Sequence, residues 1–265
     1  MENGAGGGVA KADSAAGADG SGGAVDRRPI LPQEGLVVAV GVDKTGQKQV
    51  LGLWHGATEN STLVRELLAD LRARDLNTAA AILVVLDGAQ ALYKGVREVL
   101  GDRALIQRCR IHKLRHVLAH LPLEKRTQAA WRLRGAWAQT TPEEALQELR
   151  ACVKWRDSIS PNAARSLEEG LEETRTVTHR GLPESLVRTF SSTNRIESSF
   201  ARTESWTGRG KRWRGARMGL RWGAGALLFA EQGFRRVRGY HHLPQLREAL
   251  RFNQSALAPR KKAAE

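Results

Sequence analysis

Cysteine, acidic residues and long apolar runs are all scarce in this chain of 265 residues. The two cysteines, Cys109 and Cys152, are too few for a disulfide scaffold and are typical of a reducing compartment. No apolar run approaches the roughly 20 residues that a bilayer crossing needs. The N-terminal sequence MENGAGGGVAKADSAAGADG has no apolar block of the signal-peptide kind. These absences argue against secretion and against a membrane partner, and they favour a cytoplasmic protein.

The shortage of acidic residues leaves a strong positive charge. The chain has 42 Lys and Arg residues against 28 Asp and Glu, which gives a formal net charge of +14 at pH 7. Such an excess favours a polyanionic partner, above all nucleic acid, although charge alone identifies no activity. The hydrophobic content of 41% is enough to form a core, so a wholly disordered chain is excluded.

The composition changes along the chain and predicts how the chain is organised. Residues 1–28 are rich in Gly, Ala, Ser and Asp, and we expect a disordered leader there. Residues 29–122 alternate strand and helix patterns, which predicts an α/β unit, whereas residues 123–188 have only helical patterns. Residues 189–252 continue as helices rich in basic residues, and residues 253–265 are expected to fray.

Strand and helix signals in the α/β unit begin near Leu36. The segments LVVAVGVD and KQVLGLWHG are joined by the turn DKTGQ, so they predict a β-hairpin. A helix is expected from Ser61 to Arg74, because leucines recur there at i+4 spacing. Later in the chain, Thr141 in TPEEA is the expected N-cap of a helix.

Asp87 is the most suggestive single residue in the chain. It ends the apolar run AAILVVLDG, which predicts a strand buried on both faces. The carboxyl ends of such strands are where open α/β sheets bind their ligands. The alternative is that Asp87 only caps a helix that begins at Ala89.

Glu197 is the second acidic residue of interest. It lies in SSTNRIESSFAR, which we expect to be a helix that begins at Ser191. Ile196 and Phe200 are i, i+4 partners on its core-facing side, so Glu197 falls at the margin of the buried face. The alternative is an ordinary surface glutamate.

Seven segments in unbroken order resemble the Mutator-like family of bacterial insertion-sequence transposases. They extend from about Leu36 to about Leu250. The segments are GVDKTGQKQVLGLWHGATEN, LLADLRARDL, LVVLDGAQALYKGV, IQRCRIHKLRHVLAHLP, SLEEGLEETRTV, SSTNRIES and KRWRGARMGLRW.

The resemblance implies a fold, a chemistry and a set of partners. The fold is a ribonuclease-H-like α/β domain, a mixed sheet flanked by helices, with an all-helical insertion before the last catalytic helix. The DDE chemistry uses two aspartates and a glutamate to hold two divalent ions, Mg²⁺ or Mn²⁺, for cleavage and strand transfer of DNA. Motif by motif, the second aspartate is Asp87 and the glutamate is Glu197, separated by 197 − 87 = 110 residues. DNA ends, target DNA and a homo-oligomer assembled on DNA are the implied partners, in the cytoplasm at the nucleoid.

The first aspartate of that set has two candidates. Counting back from the segment VVAVGVD gives Asp26, which is followed by Pro29 and Pro32, residues poorly tolerated inside a central strand. Asp43 is the alternative, but the hairpin turn is the usual place for a turn aspartate. The chain therefore resembles an N-terminally truncated or rearranged family member. We expect impaired catalysis, or alternatively an inactive DNA-binding remnant.

Two other groups of residues could carry function. Cys109 and His112, with His116 and His120 following at helical spacing, superficially resemble a zinc array. The resemblance retains only the Cys109–His112 pair, which favours a role in supporting the wall of the active site or in positioning DNA.

A basic stretch follows Glu197 and is expected to contact the DNA backbone. Its cations are Arg202, Arg209, Lys211, Arg212, Arg214, Arg217 and Arg221. The interleaved Trp206, Trp213 and Trp222 could stack on splayed bases, but we favour a role as core anchors. A structural RNA-associated protein would explain this charge but neither LDGAQAL nor STNRIES.

Overall fold

The computed structural model describes residues 9–14, 36–55, 61–78, 80–193 and 216–257. Five strands form one sheet: β1 (Val9–Ser14), β2 (Leu36–Val42), β3 (Lys48–His55), β4 (Ile82–Leu86) and β5 (Ala104–Arg108). The first helices are α1 (Ser61–Ala73), α2 (Gln90–Leu100) and α3 (Arg110–Ala119). They are followed by α4 (Leu123–Trp137), α5 (Pro142–Asp157), α6 (Pro161–Glu168), α7 (Thr176–His179), α8 (Glu184–Phe190), α9 (Ala216–Gln232) and α10 (Leu243–Leu257). Short 3₁₀ turns lie at Gly101–Arg103, Glu172–Arg175 and Tyr240–His242.

The described chain is therefore a mixed α/β structure with a small sheet and many helices. No helix in the described ranges combines the length and the apolar character that crossing a membrane requires.

The sheet contains both antiparallel and parallel pairs, in the order β3-β2-β1-β4-β5. The hairpin β2–β3 forms as the sequence predicts, and β2 pairs antiparallel with β1. On its other side β1 runs parallel to β4, which in turn runs parallel to β5. The central strand β1 thus joins an antiparallel half of the sheet to a parallel half.

The position of β1 corrects the expectation of a disordered leader over residues 1–28. That expectation followed from the overall Gly and Ala content, whereas the six residues VAKADS of β1 contain no glycine. Both edges of this strand are paired, with β2 on one side and β4 on the other. Pairing on both sides satisfies the backbone N–H and C=O groups, and a reading of composition does not reveal that stabilisation. The α/β unit therefore includes residues ahead of the expected boundary at residue 29.

Both faces of the sheet are covered by helices, because β4 is apolar at every position. On one face, Ile82, Val84 and Leu86 pack in a cluster with buried side chains of α1 and α2. On the other face, Leu83 and Val85 pack with side chains of α7, α8 and α10. Helix α9 covers the antiparallel half of that second face, with Leu227 against β2.

The helical region after α3 has a core of its own. Helices α4, α5 and α6 bury a cluster that also includes side chains of α3, so this unit is built onto the end of the sheet. Polar side chains at the edge of the sheet bind the backbone of the segment that follows this unit. Gln107 of β5 donates to the carbonyl of Thr174 at 2.9 Å and accepts from the amide of Val177 at 3.0 Å. Arg110 also donates to the Thr174 carbonyl, at 2.8 Å.

Local signals in this region are partly confirmed. Thr141 caps α5, accepting a hydrogen bond from the amide of Glu144 at 3.2 Å, as the sequence predicts. The helix expected to begin at Ser191 does not begin there, since Ser191 is the C-cap of α8 and residues 191–193 are not helical. The Ser191 carbonyl accepts instead from the amide of Arg110, and the amide of Thr193 donates to the sulfur of Cys109. The rest of SSTNRIESSFAR lies outside the described residues.

The core of the helical unit gives a matched test of the fold. Leu133 and Leu123 both belong to α4, but Leu133 is 0% exposed and Leu123 is 76% exposed. Leu133→Ala should lower the free energy of unfolding by about 2–5 kcal/mol, because it leaves a cavity in the core. Leu123→Ala should change it by less than about 0.5 kcal/mol. Urea denaturation followed by circular dichroism measures both, and equal effects would contradict this packing of α4.

Candidate functional site

Asp87 lies directly after β4, at the carboxyl edge of the parallel half of the sheet. Asp87 is only 5% exposed, and its carboxylate oxygen Oδ1 accepts a hydrogen bond from the amide of Ala89 at 2.9 Å. The alternative that Asp87 caps the following helix is therefore met in part, since Asp87 binds the Ala89 amide. Ala89 is nevertheless the N-cap residue of α2, and its side chain makes no capping hydrogen bond. A carboxylate held by a backbone amide at this edge has a fixed position and orientation.

The strand register places a second aspartate beside Asp87. In the parallel pair of β1 and β4, Ala12 is the partner of Leu86, so the residues that follow this pair along the chain are Asp13 and Asp87. Neighbouring strands lie about 4.8 Å apart. The sheet thus brings two aspartates from distant parts of the sequence to adjacent register positions at one edge.

Sequence reasoning missed Asp13, because the leader was assigned to disorder as a whole. The signal that could have found it is the absence of glycine in VAKADS, which has an aspartate near its end, as the segment AAILVVLDG does. Asp26, the candidate chosen from spacing, lies outside the described residues, and so does Glu197.

Asp43, the other candidate for the first aspartate, is a turn residue as the sequence predicts. Its Oδ1 accepts hydrogen bonds from the amide and hydroxyl of Thr45 and from the amide of Gln47, at 2.7–2.9 Å. Burial by itself raises the pKa of Asp43, but these hydrogen bonds outweigh it and keep the pKa below its ordinary value.

The hairpin turn is also at the wrong end of the sheet. Val42 pairs with Val9, which pairs with Leu83, so these three residues lie side by side across the sheet. Leu83 comes four residues before Asp87 (87 − 83 = 4), and Asp43 directly follows Val42. Four strand residues span about 13 Å. Asp43 therefore does not belong to the same site as Asp87.

Cys109 connects the Asp87 edge to the segment that precedes Glu197. Its amide donates to the carbonyl of Leu86 at 2.7 Å, and its sulfur accepts from the amide and hydroxyl of Thr193, both at 3.4 Å. The Thr193 hydroxyl also lies 3.4 Å from Nδ1 of His112. Burial raises the pKa of the Cys109 thiol, but hydrogen bonds from His112 and Thr193 outweigh it and lower the pKa.

Two buried cations lie next to Asp87 and bind the helical unit. Arg108 pairs with Glu169 at 3.1 Å, and Lys113 donates to the backbone carbonyls of Ser166 and Glu169 at 2.6 and 2.5 Å. Arg108 and Lys113 line a narrow cavity together with Asp87, Cys109 and His116. Burial lowers the pKa of Lys113 to about 8, against the opposing effect of Glu169.

The zinc array considered from the sequence does not assemble. His116 and His120 are exposed, and the Cys109 sulfur is bound by Thr193. Within the described ranges, no three His, Cys, Asp or Glu side chains are grouped so that they could hold a metal ion.

Most of the expected DNA-binding residues lie outside the described ranges. These are Arg202, Arg209, Lys211, Arg212 and Arg214, together with Trp206 and Trp213. Arg217 and Arg221 lie in α9, and Arg221 is exposed. Trp222 is 54% exposed, so the expectation that it is a core anchor is wrong. The buried side of α9 is formed instead by Gly219, Gly223, Leu227 and Ala230.

Comparison with known proteins places these residues in context. The family profile described as "Transposase, Mutator family" matches residues 26–204, a range that includes Asp26, Asp87 and Glu197 but not Asp13. The chain is 30% identical over 180 residues to the transposase for insertion sequence element IST2 from Acidithiobacillus ferrooxidans, covering 68% of this chain and 60% of that protein.

Two other relatives are similar. Identity to the transposase for insertion sequence element ISRM5 of Rhizobium meliloti is 30% over 169 residues, covering 63% of this chain and 41% of the relative. Identity to the transposase for insertion sequence element IS6120 of Mycolicibacterium smegmatis is 27% over 229 residues, covering 85% of this chain and 68% of the relative. The chain thus spans between about two fifths and two thirds of the length of these curated relatives.

The lowered pKa of Lys113 predicts a pH dependence of stability. A pKa of about 8 in the folded protein, against 10.5 ordinarily, means that the folded state binds fewer protons than the unfolded state between these pH values. The free energy of unfolding should therefore rise from pH 8 to pH 10.5, by on the order of 3 kcal/mol from this group. Lys113→Met should lack that rise, whereas Lys125→Met, at an exposed site in α4, should keep it. Urea titrations at several pH values measure the difference, and parallel curves for wild type and Lys113→Met would refute it.

Proposed function

Because the chain belongs to the Mutator family of transposases, we propose that it cleaves and joins DNA strands during movement of an insertion sequence. The observation that carries the proposal is the adjacent placement of Asp13 and Asp87 at the carboxyl edge of two parallel strands. Paired carboxylates on neighbouring strands are a suitable arrangement for binding the divalent ions that assist phosphoryl transfer. A DNA substrate of this kind implies a cytoplasmic, nucleoid-associated protein, acting as a homo-oligomer where two element ends are paired.

The sheet supports a ribonuclease-H-like fold for the catalytic domain. An antiparallel β1–β2–β3 unit is followed by β4 and β5, which run parallel to β1, and helices cover both faces. The helical unit of α4 to α6 falls between Asp87 and Glu197 in the chain, which agrees with the insertion that the family resemblance implies. Fold and chemistry thus support each other, since the proposed site lies where this sheet would present it.

Glu197 is the proposed third carboxylate. Thr193 is bound to Cys109, whose own amide is bound to the residue before Asp87. Glu197 follows Thr193 by four residues, so chain geometry limits their Cα separation to about 14 Å. The Glu197 carboxylate can therefore reach the Asp87 edge.

Asp13, Asp87 and Glu197 would hold Mg²⁺ or Mn²⁺, because hard cations of this kind bind carboxylate oxygens. When bound, such ions would supply charge stabilisation at the reacting phosphate and activation of the attacking hydroxyl. The chain's own contribution is orientation: the Ala89 amide fixes Asp87, and the basic stretch around Arg221 binds the DNA backbone. With Asp13 as first carboxylate, Asp26 is not needed for the site.

Cys109 and His112 are the proposed positioning residues of this site. Cys109 bonds to β4 through its amide and to Thr193 through its sulfur, so one residue links the Asp87 strand to the segment leading to Glu197. His112 lies against the Thr193 hydroxyl and completes the contact. This cluster, Cys109–His112–Thr193, would keep the glutamate segment close to Asp87.

A second candidate function is a DNA-binding remnant without catalysis. One observation favours it: the match to the family profile begins at residue 26, so Asp13 lies outside the matched range. In that case the basic residues would still bind DNA, but the first carboxylate would be absent.

Aspartate substitutions test the catalytic proposal. Asp87→Asn and Asp13→Asn should each reduce Mg²⁺-dependent cleavage of an element-end duplex by more than about 100-fold, since even outer partners of metal sites contribute about 10- to 100-fold. Asp43→Asn, at the opposite end of the sheet, should keep the wild-type rate. Calorimetry should show weaker Mn²⁺ binding in Asp87→Asn and Asp13→Asn, and unchanged Mn²⁺ binding in Asp43→Asn. Loss of cleavage in Asp26→Asn but not in Asp13→Asn would transfer the role to Asp26, and an inactive wild-type chain would favour the remnant.

The positioning role of Cys109 has a matched control in Cys152, the other buried cysteine. Cys109→Ala should weaken Mn²⁺ binding by about 10- to 100-fold, as loss of a supporting contact at a metal site does. Cys152→Ala, in the core of the helical unit, should lower thermal stability but leave Mn²⁺ affinity unchanged. Thr193→Val, which removes only the hydroxyl contact, should act in the same direction as Cys109→Ala. Equal Mn²⁺ affinity in all variants would show that the cluster is only structural.

A further inference from the structure

We propose that the chain has a second DNA-binding surface, at the end of the sheet opposite Asp87, which takes the phosphate backbone of duplex DNA. This basic surface consists of the β2–β3 turn and the connection between α9 and α10. Its cations are Lys44, Lys48, Arg235, Arg236 and Arg238. The inference goes beyond the catalytic proposal, because it concerns residues that lie away from every carboxylate assigned to catalysis.

The two segments of the basic surface are fixed to each other by backbone and side-chain contacts. The amide of Val237 donates to the carbonyl of Gly46 at 2.9 Å, and the side chain of Gln47 donates to the carbonyl of Phe234 at 3.3 Å. Gly46 has a φ of +83° and lies so close to Tyr240 that a Cβ there would be 2.4 Å from the Tyr240 Cβ. The surface is therefore a built arrangement, in which two distant segments hold one set of cations.

The cations of this surface project from a framework that leaves them accessible. The Lys48 ammonium lies 4.9 Å from the centre of the Phe234 ring, and the Arg236 guanidinium lies 5.2 Å from that of Tyr240. Lys44, Arg235, Arg236 and Arg238 are all exposed. Arg236, held in this way, loses less conformational freedom on meeting phosphate, and the guanidinium of an arginine matches phosphate geometry.

In the described ranges, the arginines of the basic surface are not neutralised by ion pairs. Some exposed arginines of other elements, in contrast, form ion pairs with Glu98, Asp70 and Glu184. Among the described residues, no carboxylate forms an ion pair with Arg235, Arg236 or Arg238.

Two carboxylates of these segments, one in the β2–β3 turn and one near the end of α9, are already bound to backbone and side-chain donors. Asp43 accepts three hydrogen bonds within its own turn, and Glu231 accepts from the amide of Val50 at 2.7 Å. Five cations against these two anions leave the surface with a net positive charge, which attracts a polyanion.

The composition of the surface favours DNA over an acidic protein. Protein interfaces generally have an apolar centre inside a polar rim. The large apolar side chains exposed in the described residues are Leu123, Trp131, Trp222, Leu228 and Phe229, and none of them belongs to the basic surface. A surface of cations without an apolar centre is suited to contacts with DNA phosphates, which do not depend on base sequence.

The position of the surface suggests its role. The β2–β3 turn lies at the end of the sheet where Leu83 is, about 13 Å along the strands from Asp87. One phosphate therefore cannot occupy both sites. Strand transfer needs two duplexes, the element end and the target. A basic surface at the far end of the sheet would hold the duplex, or the part of a duplex, that is not at the carboxylates.

The test is a triple variant, Arg235→Gln with Arg236→Gln and Arg238→Gln, in the full chain. Its binding to a short duplex of arbitrary sequence should show a slope of log affinity against log salt that is shallower by about 2–3, since each phosphate contact contributes about 0.9. The matched control is Arg65→Gln with Arg74→Gln and Arg97→Gln, which removes the same charge from arginines that already form ion pairs outside the basic surface. The control slope should change by less than about 1. Fluorescence anisotropy over a range of NaCl concentrations measures all three proteins.

Further arms separate this proposal from the alternatives. Replacing the same three arginines by lysine should restore most of the affinity, and it also serves if the glutamine variant folds poorly. Equal slopes for the triple variant and the control would overturn the proposal. A triple variant that loses affinity for poly-glutamate but keeps its affinity for the duplex would do the same and indicate an acidic protein partner. Cleavage that fails in Asp87→Asn while duplex binding persists would show that the two proposals stand separately.

Discussion

The parallel pairing of β1 with β4 is the interaction on which the rest of the structure depends. Without β1 the sheet would divide into the β2–β3 hairpin and the β4–β5 pair, because β1 is hydrogen-bonded to both halves. The same pairing sets the register that brings Asp13 beside Asp87. Architecture and proposed chemistry therefore rest on six residues of a segment with little apolar content, whose stability comes from backbone pairing on two sides.

The helical unit depends on a different interaction, the binding of backbone carbonyls by buried cations. Arg110 donates to the carbonyl of Trp137 in α4, and Lys113 donates to that of Ser166 in α6. Arg108 adds an ion pair with Glu169. A buried cation without such partners would be strongly destabilising. These side chains extend from the start of α3, directly after the carboxyl edge of the sheet. The position of the helical unit and the surroundings of Asp87 are consequently determined together.

Electrostatics distinguishes the two ends of the sheet, for which we propose different roles. At the Asp87 end, carboxylates lie beside cations that are bound to the helical unit, so carboxylate oxygens are the ligands that this edge offers to the proposed metal ion. At the end with Gly46 and Val237, arginines are exposed and the nearby carboxylates are held by their own hydrogen bonds. The net charge of +14 therefore includes exposed cations at this end of the sheet, where we propose that DNA binds.

The sequence by itself determined the regular elements with strong local signals and the family to which the chain belongs. The hairpin, the buried strand ending in Asp87 and the Thr141 cap follow from periodicity and turn chemistry, which act over a few residues. Only the tertiary structure decided that VAKADS is a central strand, that Asp43 is remote from Asp87, and that Cys109 binds Thr193. Each of these is a contact between segments far apart in the chain. Pairing of this kind depends on register and on partners that supply hydrogen bonds, and no local pattern of residues encodes it.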